Sequence, residues 1–207
     1  MTIHRRAPTA CAAAVLLAFS TVAAAQTGPP RHEWSHGTML SVFAGAGHGG
    51  SHTGALAGAG IGWEVLPWFG LEGSGAWLDR GAGVEAFAAD FKTMIGLPRA
   101  GAVVPFVAGA VGLYRTSYDR ARSGIPAFYA RRMGGFGPMN ARVGFTDPSV
   151  GVGGGVNMFV TQHTALRPEL TSTFVIGEGR THVVTAVALR VTYHFEDHPI
   201  TPARLRR

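Results

Sequence analysis

The chain has 207 residues, of which 46% are hydrophobic and 14% charged, and its 18 basic and 12 acidic groups give a net charge of +6. So few charges are unusual for a soluble domain and normal for a protein whose outer surface meets lipid. The only cysteine is Cys11, in a segment that we predict to be removed on export. A disulfide framework and thiol catalysis are therefore excluded for the mature chain.

The first 25 residues have the pattern of a secretory signal peptide. His4, Arg5 and Arg6 precede an apolar stretch over residues 10–19, and three alanines at 23–25 form a small-residue exit. That stretch is shorter than the roughly 20 residues that a membrane-spanning helix needs. We predict cleavage after residue 25, which leaves one domain with 16 basic and 12 acidic groups.

The basic charge of the mature chain is carried almost entirely by arginine, since Lys92 is the only lysine. An exported basic protein can contact anionic lipid headgroups, lipopolysaccharide phosphates or nucleic acid. Export, together with the lack of motifs in which aromatic and basic residues interleave, favours the lipid partners. No nucleic-acid partner is expected.

Residues 26–35 form a short polar lead-in, and eight strand-like segments follow in which apolar and polar residues alternate. These segments cover residues 36–48, 53–65, 68–79, 84–97, 102–115, 149–160, 164–176 and 182–195. No hydrophobic run after the signal is long enough for a membrane helix. The pattern predicts an all-β fold.

The breaks between the segments are of two kinds, which take turns along the chain. Tight breaks lie at 66–68, 97–101 and 161–163, whereas longer or more polar breaks lie near 48–53, 79–84, 115–148 and 176–182. Short turns at one end and longer loops at the other are typical of outer-membrane barrels. The sequence therefore predicts short periplasmic turns and long extracellular loops.

Three segments alternate clearly enough to predict which face meets lipid. The apolar positions are the odd residues of 69–77, the even residues of 166–176 and the odd residues of 183–195. The opposite positions carry charges among glycine, alanine and threonine, a mixture that fits a narrow lumen. The first and fifth segments are apolar on both faces, so their register stays open.

Glycine is concentrated in these segments, with twelve glycines between Gly37 and Gly75. Glycine weakens an ordinary flat strand. A small, strongly curved barrel tolerates it, because glycine permits tight bends and leaves room for large inward neighbours. A flexible glycine-rich segment is the alternative, although disorder rarely keeps apolar residues at a period of two.

Four stretches carry a family resemblance: VLPWFGLEGSGAW (65–77), PFVAGAVGLY (105–114), PSVGVGGGVNMFVTQHTALRPEL (148–170) and LRVTYHF (189–195). They resemble the outer-membrane β-barrel family of the OmpA/OmpX type. The resemblance implies an eight-stranded antiparallel up-and-down transmembrane barrel over residues 36–195, inserted by the outer-membrane assembly machinery. The chain departs from the family because Phe195 is followed by a basic tail, 196–207, instead of ending on an aromatic residue.

A set of charged residues is predicted to face the lumen: Glu72, Asp90, Lys92, Arg167, Glu169 and Arg190. Buried charges must pair or carry a large desolvation cost, so a structural ion-pair network is the main interpretation. A gated polar path for small ions is the alternative. Eight strands leave an interior just wide enough for side chains to fill, which favours the structural role.

The rim of the predicted barrel carries His48, Ser51, His52 and Asp79. Hydrolysis needs a serine or a water beside a histidine that an acid orients, and the residue types for this are present. The chain lacks the His-x-Ser-Asn stretch of the lipid A deacylases, so no catalytic residue is assigned. His48 and His52 have no third ligand nearby, so neither a metal nor another cofactor is expected.

The long break at 115–148 is rich in arginine: Arg115, Arg120, Arg122, Arg131, Arg132 and Arg142. A solvated flexible loop is one interpretation. An anchor for lipopolysaccharide phosphates or another anionic ligand is the other, because the arginine fork binds phosphate through two hydrogen bonds.

The sequence therefore predicts a non-enzymatic outer-membrane barrel that contributes to envelope structure or surface interaction. Three alternatives stay open: a narrow passive channel, a lipid-modifying enzyme, and a soluble periplasmic barrel that binds a small ligand. Outer-membrane lipid and lipopolysaccharide are the expected partners. The sequence identifies no small-molecule substrate.

Overall fold

A computed structural model describes residues 37–50, 52–66, 68–97, 103–126, 129, 142–161, 163–177 and 180–195. The predicted signal peptide (1–25), lead-in (26–35) and C-terminal tail (196–207) lie outside the described residues. Within the described ranges, no helix has the length and the apolar character needed to cross a membrane.

Eight strands make up most of the described chain, and each pairs antiparallel with the next. The first also pairs with the last, so the sheet closes into a barrel. This confirms the predicted closed barrel of eight antiparallel strands. The strands are β1 (Thr38–Gly49), β2 (His52–Leu66), β3 (Phe69–Asp79), β4 (Val84–Gly96), β5 (Val103–Asp119), β6 (Arg142–Phe159), β7 (Thr164–Gly177) and β8 (Arg180–His194).

The outer face of the barrel is apolar. Val107 and Ile61 are 63% and 62% exposed there, and many other large hydrophobic side chains are exposed with them. Outward positions of this apolar band run from Phe69 to Trp77 in β3 and from Phe87 to Ile95 in β4. Those lengths match the roughly 9–11 residues per strand that cross a bilayer.

The register agrees with the three alternations found in the sequence. The odd positions of β3, the even positions of β7 and the odd positions of β8 point outward, while Glu72, Glu169 and Arg190 are buried inside. The structure also settles the two ambiguous segments. Phe43 of β1 and Phe106 of β5 point inward and are buried.

Glycine makes room for these two inward phenylalanines. A Cβ added at Gly58 would clash with the Phe43 ring and with the carbonyl oxygen of Gly75. A Cβ at Gly155 would lie 3.1 Å from the Phe106 ring and would clash with the carbonyl oxygen of Pro168. Strands that approach this closely can hold a large ring inside the barrel only where the facing residue has no side chain.

The predicted difference in loop length is wrong for three of the four connections at what we call the loop end. There, residues 50–51, 80–83 and 178–179 connect β1–β2, β3–β4 and β7–β8, and only the 120–141 connection is long. The turn end carries the other connections: 67–68, 97–102 and 160–163. The break predicted near residues 48–53 lies largely within paired strands, because backbone pairing between β1 and β2 continues to Gly49 and His52 at the hairpin tip.

The 115–148 loop is likewise shorter than predicted. β5 continues to Asp119 and β6 begins at Arg142, so Arg115 and Arg142 lie in strands. Alternation explains the extension, since Thr116 and Tyr118 point inward and are buried. Arg120 and Arg122 follow β5 directly, while Arg131 and Arg132 lie outside the described residues.

Candidate functional site

The most concentrated polar chemistry lies inside the barrel, in what we call the ion-pair cluster: Glu72, Lys92, Arg167, Glu169 and Arg190. These residues come from β3, β4, β7 and β8, and each occupies an inward position. Glu72 lies beside Lys92 in the ladder, and Arg167 lies beside Arg190. Contacts between the two pairs cross the lumen and join opposite walls.

Each carboxylate of the cluster meets several cations. Glu72 pairs with Arg167, and its Oε1 lies 2.8 Å from a terminal guanidinium nitrogen of Arg190. Glu169 pairs with Lys92, and its Oε2 lies 3.1 Å from Arg167 Nε and 3.0 Å from Arg190 Nε. All five side chains are at most 6% exposed. Mutual pairing offsets a desolvation cost that each charge alone could not meet.

Aromatic and polar neighbours hold the two arginines in place. The guanidinium carbon of Arg190 lies 3.9 Å from the centroid of the Phe43 ring, and Arg190 donates a hydrogen bond of 2.8 Å to the Ser41 hydroxyl. The Arg167 guanidinium carbon lies 5.6 Å from the Phe106 ring centroid. These cation–π contacts keep the guanidinium groups fixed between the carboxylates.

Asp90, the sixth predicted lumen residue, lies next to the cluster and outside its ion pairs. It occupies an inward position two residues from Lys92, opposite Ser74 of β3. Among the described residues, it makes no ion pair. The six predicted lumen residues comprise three acidic and three basic side chains, so the formal charges within this set balance.

A cavity of about 80 Å³ lies above the cluster, on the side of the loop end. Lys92, Glu169, Arg190 and Asp90 line its polar floor, and its walls are mostly alanine and threonine. Its volume suits a few water molecules, which need polar partners of the kind that this floor provides. This space could not be predicted from the sequence, because it depends on how small side chains from five strands meet.

Three apolar layers cross the interior. The turn-end layer lies below the cluster and consists of Met39, Met94 and Phe106. The middle layer lies above the cavity and consists of Leu78, Ala86, Tyr114, Val175 and Val184. The loop-end layer fills the mouth and consists of Tyr118, Tyr129 and Phe145. Charged groups of the cluster are therefore bounded by apolar side chains on both sides.

The mouth of the barrel also contains a buried acid that the sequence reasoning missed. Asp147 is 1% exposed and accepts a hydrogen bond from the Tyr129 hydroxyl. Tyr129 stacks on Phe145, with ring centroids 4.1 Å apart. The alternation of residues 145, 147 and 149 could have predicted that Asp147 points inward, but the sequence analysis predicts a loop up to residue 148.

Among the rim residues, His48 and Asp79 have separate hydrogen-bond partners. His48 shares a hydrogen bond of 2.9 Å with the Thr53 hydroxyl, while Asp79 accepts one of 2.8 Å from the Gly81 backbone in its own turn. Ser51 lies outside the described residues. No group of three or more His, Cys, Asp or Glu side chains among the described residues is arranged to hold a metal ion.

The described arginines of the predicted anion site divide into two groups. Arg115 and Arg142 point outward from β5 and β6, and Arg142 forms an exposed ion pair with Glu85 at 3.0 Å. Arg120 and Arg122 lie in the turn after β5, where Arg122 is 4.0 Å from Asp119.

No protein-family model matches this sequence, and no curated protein matches it. Among solved structures, the chain is similar to Neisserial surface protein A (NspA), with a TM-score of 0.62 and 14% identity over 79% of this chain and all of that one. It is also similar to the N-terminal barrel of Pseudomonas aeruginosa OprF (TM-score 0.48, 11% identity, 77% and 98% covered). A third similar structure is Yersinia pestis Ail, with a TM-score of 0.48 and 10% identity over 78% of this chain and 99% of that one. The likeness to NspA, at 14% identity, shows that the two chains share a fold.

Proposed function

We propose that this chain is a non-enzymatic outer-membrane β-barrel protein that contributes to envelope structure or surface interaction, with the loop end outside the cell. The observation that carries the proposal is the distribution of side chains in the closed barrel. Large hydrophobic groups cover the outside, whereas the five charged side chains of the ion-pair cluster and the carboxylate of Asp147 are buried inside. A soluble monomer rarely exposes a contiguous apolar patch larger than a few hundred Å², so this outer face needs lipid.

The interior supports a structural role in preference to transport. The ion-pair cluster ties β3, β4, β7 and β8 together across the lumen, and apolar layers lie on both sides of it. An ion would have to separate these pairs and pass through the layers. The narrow passive channel is therefore the second candidate.

The rim supports the non-enzymatic part of the proposal. His48 and Asp79 are engaged by Thr53 and by a turn backbone, so neither is positioned for acid–base chemistry with the other. A lipid-modifying enzyme and a soluble ligand-binding barrel are the remaining alternatives. The apolar outer face opposes the soluble barrel.

Cell fractionation combined with a heat-modifiability gel tests the membrane placement. The full chain, exported by its own residues 1–25, should be found in the outer-membrane fraction and should require detergent for extraction. The folded barrel should migrate differently before and after boiling. Recovery in the periplasmic fraction without detergent would instead support the soluble barrel.

A further inference from the structure

A row of three side chains crosses the outer face where the apolar band ends on the side of the loop end. Trp77 of β3 pairs with Phe87 of β4, and Phe87 pairs with Arg115 of β5. All three point outward, with Trp77 42% and Phe87 51% exposed. Two aromatic rings and a cation thus lie side by side on three neighbouring strands.

The level of this row is that of a membrane–water boundary. Leu113, the outward residue immediately before Arg115 on β5, is 55% exposed and belongs to the apolar band. The outward residues that follow Arg115 on the same strand are Ser117 and Asp119. Amphipathic aromatic rings and cations occupy this boundary, where a phospholipid or glycolipid carries its phosphates.

Arg115 is exposed and makes no ion pair among the described residues. Its guanidinium group extends over the neighbouring β6, because a Cβ added at Gly144 would lie 2.9 Å from one of its nitrogens. Gly144 therefore leaves room for the Arg115 side chain to lie flat on the sheet, with its donors available to a ligand.

Arg142 supplies a second cation on the same face, nearer the loop end. It pairs with Asp119 in the ladder, whereas Arg115 pairs with Thr146, so four residues of β6 separate the two levels. At about 3.3 Å per residue, the two arginines lie roughly 13 Å apart along the strand. The Arg142–Glu85 ion pair is exposed on both sides, so a phosphate can replace Glu85 at small cost.

We propose that this face, formed by Trp77, Phe87, Arg115 and Arg142, binds a diphosphorylated glycolipid of the leaflet around the loop end. Arg115 and Arg142 each hold one phosphate through the guanidinium fork. The acyl chains lie along Phe87 and Trp77, in continuity with the apolar band. The inference rests on the proposed function, because it requires the barrel to be in a membrane with its loop end facing that leaflet.

Native mass spectrometry of the full folded barrel, released from detergent micelles that contain diphosphoryl lipid A, tests the site. We expect the Arg115→Gln/Arg142→Gln double variant to bind lipid A at least about tenfold more weakly than the wild type, because each lost bond involves two charged groups. Glu85→Gln should strengthen binding, since it frees Arg142 and removes a negative charge. A structural role of Arg142 alone would not produce that gain.

Arg180→Gln is the matched control, because Arg180 is also exposed at the loop end but begins β8, away from this face. It should leave lipid A affinity within about twofold. Monophosphoryl lipid A should bind more weakly than the diphosphoryl form, and inorganic phosphate should not displace either. Equal lipid A binding by the wild type and the double variant, or an equal loss in Arg180→Gln, overturns the site.

The heat-modifiability gel separates failure of this inference from failure of the proposed function. A double variant that keeps the gel shift and the wild-type lipid A affinity contradicts the lipid site alone. A wild-type chain that shows no shift and no need for detergent contradicts the membrane placement, and the lipid site with it.

Discussion

Arg190 contacts both carboxylates of the ion-pair cluster at once. It reaches Glu72 at 2.8 Å and Glu169 at 3.0 Å, and it is 3% exposed. The importance of Arg190 lies in the buried carboxylates that its removal would leave with fewer cations. Without Arg190, Glu72 would keep Arg167 as a partner but lose its second cation, in a region that bulk water does not reach.

Arg190→Ala should therefore lower the free energy of unfolding by about 3–5 kcal/mol, the usual cost of removing one partner of a buried ion pair. Arg122→Ala is the control, because its side chain is 77% exposed and lies 4.0 Å from Asp119. An exposed pair of this kind contributes about 0–1 kcal/mol. Equilibrium urea unfolding, followed on the gel by the ratio of folded to unfolded bands, measures both. Equal midpoints for the two variants would contradict the importance of the cluster.

Gly58 shows how a missing side chain acts at the same scale. Its position inside β2 faces the Phe43 ring, which itself lies against the Arg190 guanidinium group. The ring cannot move away without disturbing the ion-pair cluster. The glycine thus supports the electrostatic arrangement indirectly, by leaving space for the ring that packs on it.

Gly58→Ala should destabilise the barrel by about 1–3 kcal/mol, the usual cost of overpacking a well-packed interior. Gly109→Ala is the matched change on β5, since a Cβ there would meet nothing within 4 Å. It should be neutral or slightly stabilising, because it reduces the freedom of the unfolded chain. The same unfolding assay compares them. If the Gly58→Ala barrel were as stable as the Gly109→Ala barrel, the Phe43 ring would have to adopt another position without loss of packing.

At the scale of one element, β7 separates two environments along a single strand. Leu170 points outward and is 39% exposed, whereas Thr171 lines the interior cavity. Neighbouring residues of one strand thus face the outer surface and the lumen. A shift of register by one residue would exchange the two faces and put Arg167 and Glu169 on the apolar outer surface.

Leu170→Arg should impair membrane assembly far more than Thr171→Arg. A charge that faces the middle of the bilayer costs about 2–4 kcal/mol, whereas an arginine at 171 enters the cavity close to the Glu169 carboxylate. The yield of heat-modifiable barrel in the outer-membrane fraction measures the difference. Equal yields for the two variants would be incompatible with this register.

At the scale of the whole molecule, side chains fill most of the described barrel, and a small cavity lies beside the ion-pair cluster. The turn-end layer, the ion-pair cluster, the cavity, the middle layer and the loop-end layer follow one another from the turn end to the loop end. Eight strands enclose little free volume, and here side chains occupy most of it. The interior side chains therefore tie the strands to one another and leave little open space along the barrel.

Planar-bilayer recordings should therefore give no large, steady conductance for the wild-type protein. Brief small openings are the most that separation of the ion pairs would allow. Arg190→Ala should lengthen or enlarge such openings, because it removes a side chain that spans the lumen between Glu72 and Glu169. Steady porin-like conductance of the wild type would show an open interior and would make transport the leading function.

The sequence by itself determined the eight strand segments and the faces of β3, β7 and β8, while the family resemblance implied their antiparallel closure. A period of two, combined with lipid outside and a narrow lumen inside, leaves one register for a strand whose charges all lie on one side. The lumen residues Glu72, Arg167, Glu169 and Arg190 follow from that register. β1 and β5 stayed ambiguous because both of their faces are apolar.

Only the tertiary structure decided which lumen charges pair and where strands end. Asp90 shares the inward face but not the ion pairs, because pairing depends on distances across the lumen between strands far apart in sequence. Arg115 and Arg142 were predicted to lie in a loop but are found in strands, since polar residues can also take part in backbone pairing between strands. The row of Trp77, Phe87 and Arg115 likewise exists only through the register of three strands, which no single segment encodes.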